Sequence, residues 1–174
     1  MDSLDQNDRA LQDLNHALGL RPGFIPAMIA RSRLFYVKGE FALSLREADA
    51  VLKIDPQSAL GYGRRCMAHL AIDELEAAID DCTESLRLKP DLPFAFNGRG
   101  SAYLKLGQPD KAEADFESVI RLRAGAPAPI ALYGRGVARQ KSGDRDSGDA
   151  DIARAKQLLP DVEQRFKHPW QLDQ

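Results

Sequence analysis

Cysteine is scarce in this chain: Cys66 and Cys82 are the only two in 174 residues. That is too few to build the disulfide framework of a small secreted domain. No apolar run approaches the roughly 18 residues that would mark a membrane span. The opening Met-Asp-Ser-Leu-Asp-Gln-Asn-Asp is acidic and polar, the wrong chemistry for a secretion signal. These absences predict a reduced, cytoplasmic protein with no membrane partner. Histidine is nearly as rare. His16, His69 and His168 fall in separate stretches, and none has a second His or Cys at metal-ligand spacing. The Gly-x-Gly triplets at 61–63, 98–100 and 134–136 lack a phosphate-loop context. No nucleophile is paired with a base, so neither catalysis, nor a metal, nor a cofactor is expected. Positive charge is not in excess either. The net charge of -2 argues against a dedicated nucleic-acid binder.

What the chain has instead is a period. Pro22, Pro56 and Pro90 stand 34 residues apart, and Pro160 follows 70 later. Arg31, Arg65 and Arg99 keep the same step, with Arg135 after 36. Asp13, Glu47, Asp81 and Asp115 do likewise, and Asp151 again comes after 36. Three residue classes thus share one period and one two-residue slip, which belongs in the Ala-Gly-Ala-Pro-Ala-Pro stretch at 124–129. A repeat of this length implies stacked supersecondary units, a solenoid whose core is spread along its axis.

Each unit reads as two helices. Phe96, Gly100 and Tyr103 share one helical face, and Ala112, Phe116, Val119 and Ile120 share another. Between them, Leu106-Gly107-Gln108-Pro109 ends one helix and starts the next. Small residues recur where backbones must approach: Ser32, Cys66, Gly100 and Gly136 on the first helices, and Ala10, Ser44, Ala78, Ala112 and Gly148 on the second. A bulky series, Met28, Tyr62, Phe96 and Leu132, fills the adjoining space. Cys66 and Cys82 both occupy packing places of one unit, 16 residues apart, where either a bond between them or, as the favoured expectation, buried free thiols can stand.

The stretch from Phe96 to Gly107, with Ala112-Glu113-Ala114-Asp115-Phe116 and closing pairs such as Asp55-Pro56 and Lys89-Pro90, resembles the tetratricopeptide repeat. The resemblance runs from about residue 5 to Pro160. It implies an all-α fold, a right-handed α-solenoid of antiparallel helix pairs. The expected division is a half unit at 5–22, full units at 25–56, 59–90, 93–124 and 129–160, and a C-terminal cap or tail at 161–174. In that tail Phe166 is in packing register, His168-Pro169 stops the helix, and Trp170 reinforces the cap. Nothing comparable covers the N-terminal half unit, so Leu11, Leu14 and Leu18 should have an under-covered side. That points to an absent upstream segment, a dimer contact or fraying. Several residues depart from the family pattern. Ala124 replaces a closing proline, His69 and Arg139 replace aromatics, Asp73 replaces a turn glycine, and Glu113 and Asp149 replace aliphatics. Gly143 and Gly148, if inside the last second helix, would each weaken it by about 1 kcal/mol.

The arginines and acids stand 16 residues apart within each unit: Arg31 with Glu47, Arg65 with Asp81, Arg99 with Asp115, Arg135 with Asp151. A guanidinium can bond a carboxylate through two donors, so these pairs are expected to form a structural ladder. Pairing across units with the preceding acid, as in Asp13 with Arg31, is the alternative that would make the same ladder.

The resemblance also implies a concave face lined by the first helices, where a peptide or helical segment of a protein partner would dock. Ile29, Arg33 and Tyr36 map onto it, then Leu60, Arg64, Met67 and Leu70, then Phe94, Asn97, Ser101 and Lys105, and finally Tyr133, Val137 and Lys141. Chaperone-binding members of the family hold a partner's terminal carboxylate with a clamp of lysine, asparagine and arginine. The matching places here are Ile29, Arg33, Arg64, Phe94 and Gly98, or one register on Gly63, Met67, Gly98, Ile130 and Gly134, and neither rebuilds the clamp. The expected function is therefore that of a protein-interaction adaptor with an unnamed partner. The alternatives are a helper domain of a longer, possibly enzymatic, protein, and a scaffold self-associating through the N-terminal half unit.

Overall fold

The computed structural model describes residues 3–167, with side chains from Gln6 onward. His168-Pro169 and Trp170 of the expected cap lie outside the described residues. Within them the chain forms ten α-helices and no strand: α1 Ser3–Leu20, α2 Ile25–Val37, α3 Phe41–Ile54, α4 Ala59–Ala71, α5 Leu75–Leu88, α6 Pro93–Lys105, α7 Pro109–Leu122, α8 Pro129–Ser142, α9 Arg145–Leu158 and α10 Val162–Lys167. Proline opens α6, α7 and α8, where its missing N–H has no helical partner to lose. The Ser58 hydroxyl and the Asp144 carboxylate accept the amides of Gly61 and Ser147 in the first turns of α4 and α9, at 3.2 Å each.

The turn inside each pair needs one residue in left-handed conformation. Gly39, Gly107 and Gly143 supply it after α2, α6 and α8. After α4 the same place holds Asp73, at φ 60°, a region that aspartate tolerates better than most residues. Gly143 is thus a turn residue outside α9, while Gly148 lies inside that helix.

Consecutive helices pack antiparallel, and the first helices α2, α4, α6 and α8 also touch one another along the stack. The second helices α3, α5, α7 and α9 do not. First helices are therefore closer together and line the inner, concave side of the curve. The small residues meet across each pair. In the first, the Ser32 hydroxyl bonds the Ser44 backbone oxygen at 3.0 Å, and in the last, Gly136 faces Gly148. Cys66 and Cys82, expected as free thiols, are joined in a disulfide between α4 and α5. The two places face each other across the pair with Cα atoms 5.3 Å apart, inside bonding reach.

At the ends, Leu18 is buried against Met28 and Val51, while Leu11 and Leu14 are half-buried. The expected under-covering of α1 therefore does not extend to Leu18, which α2 shields. At the other end α10 packs on α8 and α9. Its Val162 is fully buried, and Phe166 meets the rings of Phe116 at 5.8 Å and Tyr133 at 5.3 Å.

Candidate functional site: the inner face and its arginines

Every first helix of a full pair presents an arginine fork to its own second helix. Arg65 donates through Nε and Nη2 to the two oxygens of Asp81 at 2.8 and 2.7 Å, and Arg99 to Asp115 at 2.8 Å twice. Arg135 grips Asp151 at 2.7 and 2.8 Å, and Arg31 grips Glu47 at 2.8–3.2 Å. The four carboxylates are buried. Their hydrogen bonds hold Arg65, Arg99 and Arg135 above the ordinary arginine pKa.

The third donor, Nη1, reaches across to the preceding unit, but not to its ladder acid. Arg31 bonds Asn15 at 2.9 Å, not Asp13. Arg65 bonds Asp49 at 3.0 Å, Arg99 bonds Thr83 at 3.1 Å, and Arg135 bonds Glu117. These acceptors lie two residues beyond the acids. Two residues rotate a helix by about 200°, so one position faces its own unit and the other faces the next. The series Asn15, Asp49, Thr83 and Glu117 also keeps the 34-residue step. It escapes a search by residue class because its members share only an acceptor oxygen.

Two departures from the family pattern compensate each other. Arg139, in an aromatic place, donates to Glu113, in an aliphatic place, at 2.7 Å, and to Asp151 at 2.9 Å. His69 instead bonds Glu74 through Nδ1 at 2.6 Å.

Removing one fork should cost stability. Arg99→Ala strands the Asp115 carboxylate, 5% exposed, without its cation. An expected loss of about 1–2 kcal/mol lies between that of exposed and of fully buried pairs. Urea unfolding checks it; a loss below about 0.5 kcal/mol, the scale of ordinary surface changes, would show that the ladder is ornamental.

The inner-face residues divide into two groups. Tyr36, Leu70 and Tyr133 are core: Tyr36 packs on Phe41, and Tyr133 lies under Phe166 of α10. They offer little to a ligand, because neighbouring helices already cover them. Ile29, Arg64, Met67, Phe94, Asn97, Ser101 and Val137 are half-buried, and Leu60, Arg33, Lys105 and Lys141 are exposed. Lys105 bonds Asp73 of the preceding unit. Val137 and Lys141 border a shallow depression with Arg145 and Asp149. The middle of the face holds an unusual cluster. Arg64 lies over the Phe94 ring, 4.9 Å from its centre. Arg64 Nε, the Tyr36 hydroxyl and the Asn97 Oδ1 are buried without a hydrogen-bond partner among the described residues. Burial, then the nearby Arg33 charge, push the Arg64 pKa below its ordinary value, and burial raises that of Tyr36.

The family model of the tetratricopeptide repeat matches residues 97–144, from within α6 through α8. A solved tetratricopeptide repeat protein of Thermus thermophilus superposes with a TM-score of 0.77 at 23% identity, over 94% of this chain and 90% of that one. The fold is that of a tetratricopeptide repeat solenoid. Its solenoid also superposes on part of the Cut9–Hcn1 complex, with a TM-score of 0.83 at 16% identity, over 94% of this chain and 33% of the other. In sequence it is similar to human DnaJ homolog subfamily C member 3, 36% identical over 83 residues, which is 48% of this chain and 16% of the relative. The chain thus spans less than a fifth of the curated relatives it matches first. Tetratricopeptide repeats form protein–protein interaction scaffolds and are typically not enzymes. No helix among the described residues is long and apolar enough to cross a membrane.

Proposed function

We propose that this tetratricopeptide repeat protein is an adaptor that binds an extended or helical segment of a partner protein along its inner face. The binding strip would run through the units at 25–56, 59–90, 93–124 and 129–160. The observation that carries the reading is the contrast between the two sides of the first helices. Their outward arginines are fully bonded within the chain. Their inward side keeps buried polar atoms without partners at Arg64 and Asn97. Buried polar groups are almost always satisfied in a resting fold, so unmet ones on a concave face favour a ligand that meets them. Phe94 and Met67 beside them supply adaptable apolar contact.

The test is affinity capture from the native host's lysate with wild type and a Met67→Glu, Asn97→Ala double variant that melts at the same temperature. A protein retained by wild type and lost from the variant is the expected result. Identical captures from both would remove the inner face as the binding surface.

A further inference from the structure

We propose that Arg64 anchors an acidic side chain, aspartate or glutamate, carried inside the partner segment. This rests on the inner-face reading above and names the chemistry of what binds there. Arg31, Arg65, Arg99, Arg135 and Arg139 on the first helices each bond a carboxylate of this chain. Among the described residues Arg64 bonds none, and its Nε is buried without a partner. Arg65, the next residue, already takes both nearby acids, Asp49 and Asp81. The groups facing Arg64 are Arg33, of like charge, the Tyr36 phenol and the Phe94 ring.

A half-buried cation beside a second cation, with no anion of its own, is costly to keep. The arrangement makes sense when the anion arrives with a ligand. The Arg64 guanidinium carbon lies 4.9 Å from the centre of the Phe94 ring, and a guanidinium can meet a carboxylate through two donors. Asn97, half-buried on the next first helix, places an amide beside the same segment. A side-chain acid is favoured over a chain end because the strip continues on both sides of Arg64, through Ile29 on α2 and Ser101 on α6. The clamp that holds a chain end is not rebuilt here, since Ile29, Phe94 and Gly98 occupy three of its places.

The experiment is selection of random 12-residue peptides, displayed with both ends joined to carrier protein so that no free C-terminus exists. Wild type is expected to select sequences sharing one Asp or Glu. In the synthetic winner, changing that acid to its amide should weaken binding to wild type about tenfold or more, and to Arg64→Gln by about twofold or less. Arg64→Gln itself should melt at or above wild type, because it removes an unpaired charge. Winners without a shared acid, or an equal loss on both proteins, would overturn the subsite and leave the inner-face reading standing. Recovery of binding by a free C-terminus in place of the acid would also overturn it, as would a marked fall in the melting temperature of Arg64→Gln. Failure of wild type to select any peptide would sink the inner-face reading, and the subsite with it.

Discussion

Phe116→Ala is expected to destabilise the solenoid by about 3–5 kcal/mol, the cost of truncating a fully buried aromatic whose site cannot collapse. The ring is completely buried and wedged between two first helices. A methyl carbon added at Gly100 of α6 would stand 3.0 Å from it, and one at Gly134 of α8 only 2.6 Å. The ring therefore occupies the space that those glycines vacate, and Phe166 of α10 leans on it from the end. Glycines have no side chain to swing inward, so the void would persist. The same geometry predicts a coupling. Gly134→Ala alone should also destabilise, yet combined with Phe116→Ala it should cost less than the sum, because the new methyl enters the void. Urea unfolding of the four proteins in that cycle decides it, and strict additivity would show that ring and glycine are not in contact.

The second large effect is Gly136→Ala, where two principles predict opposite signs. Helix propensity favours alanine by about 1 kcal/mol. Sterics oppose it. The new Cβ would lie 2.7 Å from the backbone oxygen of Gly148 and 2.8 Å from Ile152. A backbone oxygen inside a helix cannot turn aside as a flexible side chain can, so α8 and α9 must separate. Forced overpacking of that kind costs about 2–3 kcal/mol, and the net effect should be a lower melting temperature. Gly148→Ala should behave alike, since its Cβ would stand 2.8 Å from the Gly136 oxygen. A rise in melting temperature for either would show that the pair opens freely. Gly148 looks like a defect by propensity; packing requires it. In the first pair the corresponding places are serines, whose hydroxyls bridge the gap at 3.1 Å.

Much of this protein follows from its sequence because each unit meets nearly the same surroundings as the last. Helix pairs, turn positions and the 16-residue spacing of arginine and acid recur in every unit, and a period is readable without coordinates. Pairings across units were not. The acceptors Asn15, Asp49, Thr83 and Glu117 differ in chemistry, and only the rotation of one second helix against the next first helix shows their common place. The mutual support of Arg139 and Glu113 was hidden for the same reason: each looks like an error until the two are seen 2.7 Å apart.

The candidate site divides in the same way. Helical period alone assigns residues to the first helices and hence says which can face inward. Tertiary structure decided which of them remain available. Tyr36 is taken by Phe41, Tyr133 by Phe166, and the two sulfurs of Cys66 and Cys82 by each other. Among the described residues, Arg64 is the half-buried arginine left without an acid. Burial and pairing depend on the curvature that presses the first helices together, and curvature belongs to the stack, not to any one unit.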